Sequence, residues 1–143
     1  YTTLFRSADA YPHEAPNPLS LADMLRHSLP LIPTGSWVAV ISDFHDLDSQ
    51  CDALLAALRR RGEISAFVTL DDLHLRLPTR GALCARYQGS DATVALSPQM
   101  RDDIQHAIGR RLADQEARLT RLGARVRNIV TSQDLVRQLQ KGT

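Results

Sequence analysis

No apolar run in these 143 residues approaches the roughly 20 needed to cross a bilayer, and the N-terminus lacks the basic, apolar and small-residue order of a secretory leader. A cytoplasmic address without membrane contact is therefore expected. Cysteine is scarce: Cys51 and Cys84 form no CxxC pair and no zinc or disulfide spacing, so two buried, reduced thiols are expected. Charge of one sign is not in excess either. Lysine and arginine number 17 against 16 aspartates and glutamates, and a net charge of +1 offers no general attraction to nucleic acid. The phosphate loop GxxxxGKS/T, the GxGxxG fingerprint, the GxSxG elbow and the HExxH pair are missing, and no segment repeats. What is present, a hydrophobic share of 43% over this length, suits one globular domain with one core.

The first seven residues, YTTLFRS, are what adapter-like DNA reading TAC ACG ACG CTC TTC CGA TCT encodes, so Tyr1 to Ser7 are expected to be foreign to the natural chain. YPHEAPNP (11–18) holds three prolines and no period, and reads as an extended linker. Residues 1–18 are thereby set apart from the folded part, 19–143. Ser20 can cap a short helix, LADMLRHSL, that stops before Pro30. WVAVIS (37–42) is a continuous, β-branched apolar run, as expected of a parallel strand covered on both faces. A crossover helix follows, with Ser49 as N-cap, Asp52 three residues on, Leu54, Leu55 and Leu58 on one face, and Gly62 as its stop. ISAFVTL (64–70) then completes a right-handed βαβ unit as a second buried strand.

From Leu73 to Leu96 the period changes: LHLRL, ALCARY and ATVAL alternate around turns, which predicts a small antiparallel hairpin insertion. Ser97 and Pro98 open a long helix through Leu122, with Ile104, Ile108, Leu112 and Leu119 near helical spacing and Gly123 as terminator. ARVRNIV (124–130) is a half-buried third strand, and Thr131 with Asp134 forms a capping box for the last helix, DLVRQLQK. The order of elements predicts an α/β, three-layer, Rossmann-like architecture around a parallel sheet.

In such sheets ligands bind beyond the carboxyl ends of the strands, which is where Asp43 stands. It opens ISDFHDLD, which gathers Asp43, His45, Asp46 and Asp48 within six residues, groups suited to a divalent cation. Asp46 and Asp48 are better explained as solvated residues ahead of a helix whose N-terminus favours negative charge. Asp71 and Asp72 end the second strand. They form either a carboxylate pair able to bind metal or a turn whose carboxylates accept backbone amides. His74 and His106 are expected to be packing or surface residues. The run from Arg59 to Arg61 fits the cation preference of a helix C-terminus better than a phosphate site. Ser42 lies near His45, yet no third group identifies it as a nucleophile.

WVAVISDF, the crossover helix, the segment LDDLHLRLPTRGAL, the long helix and the strand running into TSQDLVRQL resemble the domain-of-unknown-function 58 family, a bacterial branch of the von Willebrand A-like fold. The family pattern DPxExxLPxxG is matched by Asp71, Leu77, Pro78 and Gly81, with Asp72 in place of its proline and His74 in place of its glutamate. The resemblance implies that this chain is the C-terminal half of such a domain, lacking the N-terminal strands, with WVAVIS central in the intact sheet. It further implies a metal-ion-dependent adhesion site holding Mg²⁺ or another divalent cation, in which Asp43 matches the aspartate after the fourth strand. The Asp-x-Ser-x-Ser motif of that site does not occur here, so the chain alone is expected to bind metal poorly. The implied function is non-catalytic: a protein-interaction module working with a MoxR-type AAA+ ATPase in assembly or activation of other proteins. The alternative is a Mg²⁺-dependent phosphotransfer or hydrolytic enzyme using Asp43 and Asp46. Without its upstream neighbour, WVAVIS would leave an apolar edge open to self-association.

Overall fold

A computed structural model describes residues 19–72, 77, 82–87, 90–95 and 97–140, with the main chain alone for 82–87 and 90–95. The expectations for residues 1–18, for His74 and for most of LHLRL lie outside these residues. Helix α1 (Leu21–Ser28) starts where the Ser20 hydroxyl accepts the Asp23 amide at 3.1 Å, and it runs into one 3₁₀ turn at Leu29–Leu31, around Pro30. Strand β1 (Ser36–Ser42) follows, then helix α2 (Ser49–Arg59) and strand β2 (Gly62–Leu70). The cap of α2 is Asp48, not Ser49: the Asp48 carboxylate accepts the Cys51 amide at 2.8 Å, which leaves Ser49 inside the first turn.

Gly62 plays a different part from the helix stop expected of it. The main chain of α2 closes at Arg60 and Arg61, and Gly62 is already the first residue of β2, paired with Ser36. A Cβ at Gly62 would lie 1.8 Å from the Ser36 carbonyl oxygen, so only glycine lets β1 approach here. Gly123 does end a helix: it takes φ +83 after α3 (Pro98–Arg121), whose N-cap Ser97 accepts the Met100 amide. Strand β5 (Ala124–Val130) and helix α4 (Leu135–Gln140) close the described chain. Asp134 caps α4 by accepting the Arg137 amide at 3.1 Å, whereas Thr131 donates its amide to the Leu70 carbonyl and so prolongs the β5–β2 contact instead of capping.

The sheet is three-stranded and parallel, in the order β1-β2-β5. Strands β3 (Ala82–Tyr87) and β4 (Ser90–Ala95) pair antiparallel with each other as a separate ladder, Ala82 opposite Ala95 and Tyr87 opposite Ser90. The protein is thus mixed α/β with a Rossmann-like parallel core. Ile64, Ala66, Val68 and Leu70 alternate along β2 and so share one face. They form a single core with Leu21 and Leu25 of α1, Cys51, Leu55 and Leu58 of α2, and Leu119 of α3. Each leucine fully buried there contributes about 1.5–3 kcal/mol relative to exposure.

Cover on both faces, expected of β1 as of β2, holds for β2 alone. Ser36, Val38, Val40 and Ser42 are half-buried, while Trp37, Ala39 and Ile41 are exposed. The cause is topological. Strand order advances in one direction from β1 to β2 to β5, and right-handed crossovers that advance one way deliver α2 and α3 to the same face. The helical layers expected on both faces are consequently one layer in the main, and β1 is an outer strand of the described sheet, not a central one. Trp37 fastens its exposed ring to the sheet by donating its indole N–H to Ser65 Oγ at 2.9 Å.

Candidate functional site at the carboxyl end of the sheet

The ends of β1 and β2 lie side by side, with Ser42 in register with Val68, and Asp43 and Asp71 follow them. After Ser42 the chain turns sharply. Phe44 takes φ 50, a left-handed conformation uncommon outside glycine, while its ring is 2% exposed in the core. Such a residue costs on the order of 1–3 kcal/mol and persists where its surroundings hold it. Here they do: Ser42 Oγ accepts the Phe44 amide at 3.0 Å, and the Asp43 carboxylate accepts the His45 amide at 3.0 Å. From α3, the buried Gln115 side chain donates to the carbonyls of both Asp43 and Phe44 at 2.8 Å. The buried ring and the buried amide together leave the Asp43 carboxylate facing outward.

A cleft of about 330 Å³ opens beside it, between the strand ends and the N-terminal half of α3. Asp43, His45, Asp71 and Arg111 supply its polar rim. Ile104, Ile108 and Leu112 form its apolar wall, with Leu77 set beside them. Of this apolar stripe, Leu119 enters the core and Leu112 packs against it. The Arg111 guanidinium lies 2.5 Å from His45 Nδ1.

Of the acidic cluster read in ISDFHDLD, Asp43 and His45 line this cleft, while the other two acids serve the main chain. Asp46 accepts the Leu21 amide at 2.8 Å and so caps α1 across 25 positions of sequence. Asp48 caps α2, and the Cys51 amide bonded to it holds its carboxyl below the usual carboxylate range. Asp52 is gripped from α3 by Arg118 through two bonds of 2.8 Å, and Arg118 also reaches the Leu47 carbonyl. The pair Asp71 and Asp72 is split: Asp71 lies at the cleft, and Asp72 accepts the Ser132 hydroxyl at 2.5 Å, beyond the end of β5.

Ser42 is committed to a backbone amide, and His106 is exposed on α3. Arg59 and Arg61 donate to main-chain carbonyls, Arg61 to those of Leu29 and Ile32, which fits the structural reading of the arginine run. The Cys51 thiol is buried, and burial pushes its pKa up; the Cys84 side chain lies outside the described residues.

Among the described residues the donors do not fit a cation of the adhesion-site kind. Among the described residues no three His, Cys, Asp or Glu side chains converge, and the Asp43 carboxylate by itself would leave a hard cation almost wholly hydrated. Sequence reasoning missed Gln115 and Arg111. The first had a signal: Ile104, Ile108, Leu112, Gln115 and Leu119 follow one another at spacings of four and three, so an amide occupies the apolar stripe. Arg111 had none, since one arginine among many on a polar helix carries no mark. No family model, no curated protein and no solved structure matches the chain.

Proposed function

We propose that this chain is a non-catalytic protein-interaction module of the von Willebrand A-like type that receives its partner at the carboxyl end of the sheet. One observation carries the reading: Asp43, Arg111 and the apolar wall of α3 share a single open cleft. An apolar floor rewards burial of a partner's side chain, while a carboxylate and a guanidinium at the rim select its orientation and polar contacts. The commitment of Ser42 and Asp46 to main-chain amides supports a role in binding over one in covalent or acid–base chemistry. Because the donor set does not fit a resident cation, the partner is met by Asp43 and Arg111 directly; a metal bridge at Asp43 would need ligands beyond the described residues.

A MoxR-type AAA+ ATPase, the partner class implied by the sequence resemblance, is the probe. Surface plasmon resonance of the 143-residue chain against such an ATPase should show binding that weakens at least about tenfold on Asp43→Ala and on Arg111→Ala, with the folded circular dichroism spectrum of each variant retained. Equal affinity of both variants and the wild type would remove the cleft as the docking place, and no binding at all would remove this ATPase class as partner.

A further inference from the structure

Two opposite charges border the cleft at the strand ends, and among the described residues neither Asp43 nor Arg111 has an ion-pair partner. His45 stands between them. Its amide donates to an Asp43 carboxylate oxygen at 3.0 Å, and its Nδ1 lies 2.5 Å from one guanidinium nitrogen of Arg111. The second Asp43 oxygen and the rest of the Arg111 fork make no further hydrogen bond among the described residues. The carboxylate and the guanidinium therefore flank a single residue, within reach of one small molecule.

The wall beside them is aliphatic. Ile104, Ile108 and Leu112 recur every four residues along α3 and present one stripe, about 12 Å from first to last, and all three are half-buried. At about 330 Å³ the cleft falls at the small end of ligand pockets, which span about 300–1,000 Å³ and combine an apolar lining with a few polar groups that fix orientation. Asp71 adds a second carboxylate to the rim, so the cleft disfavours a lone anion. A ligand that brings a carboxylate to Arg111 must bring a cation with it.

We propose that this cleft binds a free α-amino acid with a large aliphatic side chain. The ammonium group meets Asp43, the carboxylate takes the Arg111 guanidinium as a charge-assisted pair, and the side chain lies along the stripe of Ile104, Ile108 and Leu112. In such a ligand all three groups branch from one α-carbon, as the three features converge on one cleft. A residue inside a peptide carries the side chain without either charge, and a chain terminus carries only one of them. The proposal rests on the same cleft as the proposed function and adds a small ligand that occupies the partner's place. Its test involves no partner, so its failure leaves the docking experiment to be judged by itself.

A heteronuclear NMR titration of the 143-residue chain with L-leucine at neutral pH, where the ligand carries both charges, reads the binding directly. The amide signals of His45 and Leu112 should move saturably, with a dissociation constant of about 10 mM or below. Isocaproate and isoamylamine, each lacking one charge, and N-acetyl-leucinamide, lacking both, should bind at least about threefold more weakly, the scale of one partly exposed charged contact. Glycine keeps both charges without the side chain and should bind at least about tenfold more weakly. Asp43→Asn, which retains an acceptor for the His45 amide, and Arg111→Gln should each weaken L-leucine at least about threefold while the spectrum stays as dispersed as that of the wild type. Shifts that do not saturate overturn the proposal. So does N-acetyl-leucinamide binding as tightly as L-leucine, which would mark the cleft as a peptide groove, and this comparison on the wild type decides even where a variant does not fold.

Discussion

Asp43 projects into solvent because the residues on either side of it are bound: Ser42 Oγ takes the Phe44 amide, and the Phe44 ring is sunk in the core. A few residues away, Asp48 shows how one carboxylate ties local structure to pH. The Cys51 amide holds its carboxyl below the ordinary value of 3.8. A folded-state pKa below the unfolded one means that the stabilisation is complete above the unfolded value and is lost as pH falls through the folded one. Asp23, lowered by bonds from the Ser20 hydroxyl and Arg26, acts in the same direction. The melting temperature should therefore decline as pH falls from about 5 to about 2. Asp48→Asn keeps a capping acceptor without the titration and should show a shallower decline. Melts followed by circular dichroism at stepped pH decide this; identical slopes for wild type and variant would show that the cap does not titrate in this window.

At the scale of elements, α3 does two jobs with two halves. Its C-terminal part seats Leu119 in the core and clamps α2 through Arg118 and Asp52, and its N-terminal part stands away as the wall of the cleft. Gln115 lies between them and is 8% exposed. Its two bonds to the Asp43 and Phe44 carbonyls connect the helix to the strained turn. Gln115→Leu keeps the apolar volume but strips both carbonyls of their donor, a loss on the order of 1–3 kcal/mol. Urea unfolding should register a lowered midpoint with an unchanged slope. Stability equal to wild type would mean that water or a neighbouring donor serves these carbonyls equally well.

For the molecule as a whole, β2 is the keel. It is paired on both edges and buried along most of its length, from Ile64 to Val68. Its amides should open only with global unfolding, whereas those of β1 and β5 should exchange sooner. Hydrogen exchange resolved by residue checks the ranking: β1 amides outlasting those of β2 in the isolated chain would contradict it. One-sided helix cover leaves Trp37 and Ile41 outside.

Local chemistry alone determined most elements, because their signals are local: the Ser20 and Ser97 caps, the Gly123 stop and the strands over the apolar runs of β1 and β2 and over ARVRNIV all form as their residues dictate, although burial along β5 alternates only as far as Arg127. The position of Asp43 at a strand end was legible for the same reason. Tertiary structure decided what no neighbouring residue can specify. Asp46 went to the start of α1 and Asp52 to Arg118 because distant amides and cations needed partners when chain segments met. Gly62 was fixed by the approach of Ser36, and the bare face of β1 by strand order. A strand's apolar run records that burial is favourable; which of its faces is buried depends on the hand of the crossovers and the direction in which the sheet grows.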